Sequence, residues 1–92
     1  MITTQQLQLL KEGNKKAFEA LYRAYNARIY SFVLSMIGDA GVAKDITQDI
    51  FLQIWEKRLN IDLEGNFDGY LFKISQNMAV SYTHLTLPTI RL

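Results

Sequence analysis

The chain has 92 residues, of which 49% are hydrophobic and 21% are charged, and its formal net charge is +1. This length supports one domain with a single modest core, and the composition is typical of a folded globular domain and not of a disordered one. The absence of cysteine excludes disulfides and zinc-thiolate sites, no apolar run approaches the ~20 residues that cross a bilayer, and we expect a cytoplasmic protein without membrane association.

The first part of the sequence predicts two helices. Thr3 and Gln6 can form a capping box that opens a short N-terminal helix, which ends at Gly13. Asn14 can cap a longer helix, whose apolar residues recur at intervals of three and four and indicate a core face. These residues are Phe18, Leu21, Tyr22, Tyr25, Ile29, Phe32, Val33, Met36 and Ile37.

A central helix, which Asp39 can cap and which contains the stretch from Ala43 to Arg58, carries two different faces. At about 100° per residue, one broad arc is apolar and predicts a core face. The opposite stripe is polar, and helix stability does not explain it, because like charges at positions 45 and 49 repel each other. A docking surface for a basic partner explains the stripe, and an ordinary solvated face is the alternative. The apolar arc contains Ala43, Ile46, Ile50, Phe51, Ile54 and Trp55, and the polar stripe contains Asp45, Gln48, Asp49, Leu52 and Glu56.

The segment 59–66 is rich in Asn, Asp and Gly and predicts a loop, after which a further periodic helix begins at Phe67. Its predicted core stripe also contains Tyr70, Leu71, Ile74 and Met78. Phe72 lies about 140° from Phe67 around this helix, so we expect Phe72 to be exposed beside Lys73.

The last ten residues break the helical pattern. Their apolar residues show no helical period, and we expect Pro88 to stop any helix that reaches it. The sequence therefore predicts a domain of residues 1–82 and a tail of residues 83–92 that is disordered or not native, either appended or frame-shifted. His84, the single histidine, lies in this tail, so we expect no catalytic or metal-binding role for it.

These patterns predict an all-α fold, a three-helix bundle with a short N-terminal helix. We expect no enzyme, metal site or cofactor, because a Gly-rich phosphate loop, a nucleophile with its base and a His or Cys cluster are all absent from the sequence. A helix-turn-helix protein is disfavoured, because the central helix exposes acids and the last helix offers only Lys73, Gln76 and Asn77. A generic helical protein-interaction module without DNA binding remains compatible with the patterns.

The segment DITQDIFLQIWEKR resembles the most characteristic segment of bacterial RNA polymerase sigma factors, in particular those of the extracytoplasmic-function group. The resemblance extends upstream through GNKKAFEALYRAYNARIYSFVLSMIGD and downstream through NFDGYLFKISQN. It implies a core-binding and promoter-melting domain. The implied partners are the clamp coiled coil of core RNA polymerase, the promoter minus-ten element on the non-template strand and an anti-sigma protein.

The resemblance also implies which residues make these contacts. The stripe Asp45, Gln48, Asp49, Leu52 and Glu56 would bind the polymerase. The loop would take up an unstacked base, Phe72 would stack on a base and Lys73 would contact a phosphate. The implied DNA-binding residues are Asn60, Asn66, Tyr70, Phe72, Lys73, Gln76 and Asn77. Sigma factors of this group also have a helix-turn-helix domain, so we expect this chain to be a fragment or a truncated chain.

Overall fold

The computed structural model describes the backbone of residues 2–91 and the side chains of residues 2–82. In this part of the chain, α1 spans Thr4–Lys11, α2 spans Lys15–Ile37, α3 spans Ala40–Glu56 and α4 spans Phe67–Arg91. A short 3₁₀ helix, Arg58–Asn60, follows α3. The described residues form no strand, and three long helices with a short one before them confirm the predicted all-α bundle.

The first three helices begin at the residues that the sequence predicted. Thr3 and Gln6 form the capping box, with the Thr3 Oγ1 accepting from the Gln6 backbone N–H at 3.1 Å and the Gln6 Oε1 accepting from the Thr3 N–H at 3.0 Å. Asn14 and Asp39 each accept, at 3.0 Å, the backbone N–H three residues further on. Each cap satisfies a donor that the first turn of a helix leaves without an intrahelical partner.

Gly38 ends α2 and reverses the chain. Its φ of 82° is a left-handed conformation that glycine adopts without strain, and its N–H bonds to the Leu34 carbonyl at 2.8 Å. Helix α3 then returns along α2 in the antiparallel direction. Two edge-to-face ring pairs show this direction, because residue numbers rise along α2 while they fall along α3. These pairs are Phe18–Trp55, at 5.2 Å between centroids, and Tyr22–Phe51, at 5.0 Å.

Helix α4 packs on α2 in the parallel direction, with Tyr25 beside Phe67 and Phe32 beside Phe72. The core lies among the three long helices and is closed at one end by α1. Its best-buried large side chains are Leu10, Leu21, Tyr25, Ile29, Val33, Ile50, Ile54 and Leu71.

The structure differs from the predicted core at several positions, among them Tyr22, Met36, Thr47 and Ser75. Tyr22 and Met36 lie at its edge, each with 37% of its surface exposed, because the α2 face that touches other helices is narrower than the apolar stripe. Thr47 and Ser75, which the sequence did not place in the core, are buried. Their hydroxyls donate to the backbone carbonyls four residues earlier, at 2.7 Å and 2.8 Å, so burial leaves neither hydroxyl without a bond.

The sequence predicted that the last helix ends before Pro88. This prediction is wrong, because the backbone is helical as far as Arg91. A proline inside a helix removes one hydrogen bond and costs about 3 kcal/mol, but it can kink a helix as well as break it, so its presence does not by itself fix where α4 ends. The boundary after residue 82 and a foreign origin of the tail stay predictions. The side chain of His84 lies outside the described residues.

Candidate protein and nucleic-acid interfaces

The polar stripe of α3 lies on the surface, opposite the buried residues Ile46, Ile50 and Ile54. All five of its members are exposed, and Leu52, the apolar one, has 53% of its surface exposed. The three carboxylates of the stripe form no ion pair within the described residues. The stripe consists of Asp45, Gln48, Asp49, Leu52 and Glu56. Its acidic groups and its exposed leucine can therefore contact a partner without first breaking an ion pair inside the chain.

Two surface hollows flank this stripe where α3 meets α2. The hollow beside Leu52 has a volume of about 340 Å³ and a mostly apolar lining of Lys15, Phe18, Glu19, Leu52 and Trp55. The hollow beside Gln48 has a volume of about 330 Å³ and is lined by Tyr22, Asn26, Ala27, Tyr30, Lys44, Thr47 and Gln48. The stripe thus offers an apolar contact at Leu52 and polar contacts at Gln48.

The loop after α3 is folded by its own polar groups. Ile61 is buried and anchors it to the core, which the sequence did not predict. The Asp62 carboxylate accepts the Glu64 N–H at 2.9 Å, and the Asp62 carbonyl accepts the Gly65 N–H at 3.2 Å. The Asn66 Oδ1 accepts the Gly69 N–H at 3.0 Å, which is the geometry of a helix cap for α4.

This loop and the first turn of α4 enclose a hollow of about 240 Å³, called here the loop hollow. It brings together three of the predicted DNA-binding residues, Asn60, Asn66 and Tyr70. Two amide side chains provide both donors and acceptors, and a tyrosine ring provides an apolar face, which together suit a planar, polar ring such as a nucleobase. The complete lining is Asn60, Ile61, Asp62, Gly65, Asn66, Phe67 and Tyr70.

The expected exposure of Phe72 is wrong. Its side chain is half-buried, because the Phe32 ring of α2 lies edge-on to it at 5.5 Å between centroids. The Arg28 Cζ also lies 5.4 Å from the centroid of the Phe72 ring. Sequence periodicity on one helix does not reveal partners that a second helix supplies. Lys73, Gln76 and Asn77 are exposed on α4, as predicted, and lie outside the lining of the loop hollow.

Tyr25 forms a buried polar link beside the loop hollow. Its hydroxyl donates a hydrogen bond to the Asp68 carboxylate in the first turn of α4. Burial, followed by the hydrogen bond to Asp68, raises the pKa of Tyr25 to about 12. The ring packs against Phe67, which lines the loop hollow, at 5.9 Å. The link therefore positions one wall of the loop hollow.

Arg58 holds the start of the loop against the end of α3. Its guanidinium carbon lies 4.4 Å from the centroid of the Trp55 ring, and its Nη1 donates to the Trp55 carbonyl at 3.0 Å. Its Nε is buried without a hydrogen-bond partner among the described residues. A cation at this end of a helix also satisfies a carbonyl that has no intrahelical partner.

Neither a metal-binding cluster nor a helix that could span a bilayer occurs in the described part of the chain. It contains no group of three or more His, Asp or Glu side chains that could hold a metal ion. None of the helices there is both long enough and apolar enough to span a bilayer.

Known sigma factors match this chain in sequence and fold. The chain is similar to the extracytoplasmic-function RNA polymerase sigma factor SigW of Bacillus subtilis, with 25% identity over 80 residues, which cover 87% of this chain and 43% of SigW. It is also similar to the SigK factor of Mycobacterium sp. (strain KMS), with 32% identity over 75 residues, which cover 80% of this chain and 39% of SigK. The chain therefore spans less than half the length of these relatives.

A solved structure shares the fold, and a family model matches the sequence. An NMR structure of an engineered region 2 of sigmaE in complex with GTAAAA superposes with a TM-score of 0.88 at 22% identity, covering 100% of this chain and 96% of that one. The model of the sigma-70 region 2 family matches residues 21–83, which is more than half of the chain. This protein therefore belongs to the sigma-70 region 2 family and is similar to sigma factors of the extracytoplasmic-function group, as the sequence resemblance predicted.

Proposed function

We propose that this chain docks on core RNA polymerase and recognises and melts the promoter minus-ten element as single-stranded non-template DNA. It acts as an initiation factor in the cytoplasm, without a cofactor and without catalysis of its own. The observation that carries this proposal is the loop hollow. Hydrogen bonds within the loop hold it in a fold that leaves a space of about 240 Å³, and Asn60, Asn66 and Tyr70 are among the residues that line this space. Membership of the sigma-70 region 2 family supports it.

The polar stripe of α3 is the proposed docking surface for the clamp coiled coil. Asp45, Asp49 and Glu56 complement a basic partner, and such charges raise the association rate and set the register of the two surfaces. Leu52 supplies an apolar contact in the middle of the stripe, with the hollow beside it able to receive a partner side chain. An apolar centre with a charged rim is the usual anatomy of a specific protein interface.

The loop hollow is the proposed site for an extruded base. Asn60 and Asn66 can hydrogen-bond to the base edge, and Tyr70 can stack on its face. Lys73, Gln76 and Asn77 continue the exposed surface of α4 and can contact the sugar-phosphate backbone. Phe72, which is half-buried against Phe32, supports this surface from below and does not itself stack on a base.

Capture of an extruded base can account for strand opening. Stacking of a base on an aromatic side chain contributes about 1–3 kcal/mol. A base-pair step of DNA loses about 1.4 kcal/mol of stacking when it opens. The two magnitudes are comparable, so a domain that binds only the open strand shifts the equilibrium towards it. The net charge of +1 gives little non-specific attraction, and the polymerase therefore has to bring the domain to the promoter.

An anti-sigma protein is the further proposed partner, and it would compete with the polymerase for the polar stripe of α3. Leu52 is 53% exposed beside an apolar hollow, so either partner could bury this side chain on binding. Covering the stripe would block docking without any change in the fold.

The test uses the full chain with a fluorescent label and purified core polymerase. We expect the labelled chain to bind the polymerase. The complex should then bind the single strand GTAAAA, the sequence present with engineered sigmaE region 2, more tightly than the same sequence inside a longer duplex. A scrambled single strand of the same length is the control. No binding to the polymerase, or equal affinity for strand and duplex, would contradict the proposal.

A further inference from the structure

Arg28 lies at the seam between α2 and α4. Its Cζ lies 5.4 Å from the centroid of the Phe72 ring and 5.7 Å from that of the Tyr25 ring, so one residue of each helix holds the guanidinium by a cation-π contact. The residue is nonetheless exposed to solvent. Two rings thus restrict the position of a cation that still faces the solvent.

This cation lies next to the proposed DNA surface. The Tyr25 ring that it touches packs on Phe67, which lines the loop hollow, at 5.9 Å. The Phe72 ring that it touches lies on α4 next to Lys73, which is exposed. The guanidinium therefore contacts one ring that packs on the wall of the loop hollow and one ring of α4, the helix that the strand is proposed to follow.

We propose that Arg28 contacts a phosphate of the single strand whose base occupies the loop hollow, so that the DNA-binding surface extends from α4 onto α2. This inference rests on the proposed function. A guanidinium is planar, always charged and able to donate two parallel hydrogen bonds to a phosphate, and prior restriction by two rings reduces the entropy lost on binding. The Phe72 ring then acts through Arg28, as a positioning residue.

The alternative is that Arg28 only joins α2 to α4. Salt dependence separates the two roles, because each phosphate contact on a single strand releases counterions and changes the slope of log K against log [salt] by about 0.7. A purely structural contact changes the stability of the fold and leaves this slope unchanged.

The experiment measures binding of the full chain to the single strand GTAAAA over a range of salt concentrations. Arg28→Gln should weaken binding several-fold at low salt and reduce the slope by about 0.7, whereas Arg28→Lys should keep the slope. The matched control is Arg23→Gln, which removes the same charge from α2. Arg23 forms an ion pair with Glu19 at 2.9 Å and lies on the opposite side of the helix from Arg28. The salt dependence of DNA binding by Arg23→Gln should therefore equal that of the wild type.

Thermal melts of each variant accompany the titrations. If Arg28→Gln destabilises the fold, Arg28→Met keeps an unbranched side chain over the two rings and should show the same change in slope. If the folded Arg28 variants keep the wild-type slope of log K against log [salt], the inference about Arg28 is wrong, and the proposed function is unaffected. A wild-type chain that does not prefer the single strand over the duplex, with or without polymerase, overturns the proposed function and this inference with it.

Discussion

The hydroxyl of Tyr25 donates a hydrogen bond to the carboxylate of Asp68, which joins the middle of α2 to the first turn of α4 across 43 residues of sequence. Tyr25 is completely buried, and its ring packs on Phe67 at the wall of the loop hollow. The start of α4, and with it the proposed base-binding site, therefore depends on a residue that lies outside the site.

Removing this hydrogen bond should destabilise the domain. In Tyr25→Phe the Asp68 carboxylate loses its donor, and hydrogen bonds to charged groups contribute about 1.5–3 kcal/mol, so we expect a decrease of that size in the free energy of unfolding. Urea titration followed by circular dichroism measures it. Tyr30→Phe, which removes a hydroxyl from a half-buried position on the same helix, is the control. A similar loss in both variants would count against a special role for the Tyr25 link.

Alkaline pH should weaken the same link. The pKa of Tyr25 is raised from 10.0 to about 12 in the folded chain, so the unfolded chain loses this proton first. The contribution to stability is fully present below pH 10 and is lost as the pH rises towards 12, with a slope of at most about 1.4 kcal/mol per pH unit. Unfolding titrations at several pH values should therefore show the difference between wild type and Tyr25→Phe narrowing above pH 10. A constant difference would contradict this prediction.

Reversing one charge of the stripe should impair docking without affecting the fold. Asp49 is exposed on α3, so Asp49→Lys should leave the circular dichroism spectrum unchanged. It should weaken binding to core polymerase by at least about 2 kcal/mol, because an attraction becomes a repulsion. Fluorescence titration with purified polymerase measures this, and Glu12→Lys, at the end of α1, is the control for the change in net charge. Unchanged affinity would favour an ordinary solvated face.

Tyr70 should act as the stacking residue of the loop hollow. Tyr70→Ala should weaken binding of single-stranded GTAAAA by about 1–3 kcal/mol. Tyr70→Phe keeps the aromatic face, so its affinity for this strand should be close to that of the wild type. Fluorescence anisotropy with labelled oligonucleotide measures both. Tyr22→Ala removes an equally large ring that packs on Phe51 of α3, outside the loop hollow, and should leave DNA affinity unchanged. Equal losses in Tyr70→Ala and Tyr22→Ala would argue against a specific base site.

Two neighbouring glycines should respond to alanine in opposite directions. Gly38 has a φ of 82°, so Gly38→Ala should reduce stability by about 1–2 kcal/mol through left-handed strain, although no atom lies within 4 Å of an added methyl group. Gly41 lies inside α3, where an added methyl group would meet only the Asp39 Oδ1, at 3.5 Å. Gly41→Ala should therefore increase stability by up to about 1 kcal/mol. Thermal melts compare the two, and a shift of the same sign in both would contradict the explanation.

The starts of the helices and the exposure of the α3 stripe could be predicted from the sequence. Caps such as Asn14 and Asp39 act on N–H groups three residues away, and the helical period places Asp49 and Leu52 opposite the buried isoleucines of α3. These features depend on residues within one or two turns of each other, so local sequence determines them.

The tertiary structure alone decided what lies around the proposed DNA site. Phe72 was expected to be exposed and is instead half-buried against Phe32, while Arg28 reaches α4 from another helix. The Tyr25–Asp68 hydrogen bond likewise joins residues far apart in the chain. Helical periodicity shows which face of one helix is apolar, but it does not show which residues of a second helix meet that face. That pairing depends on how the side chains of two helices fit together when the bundle packs.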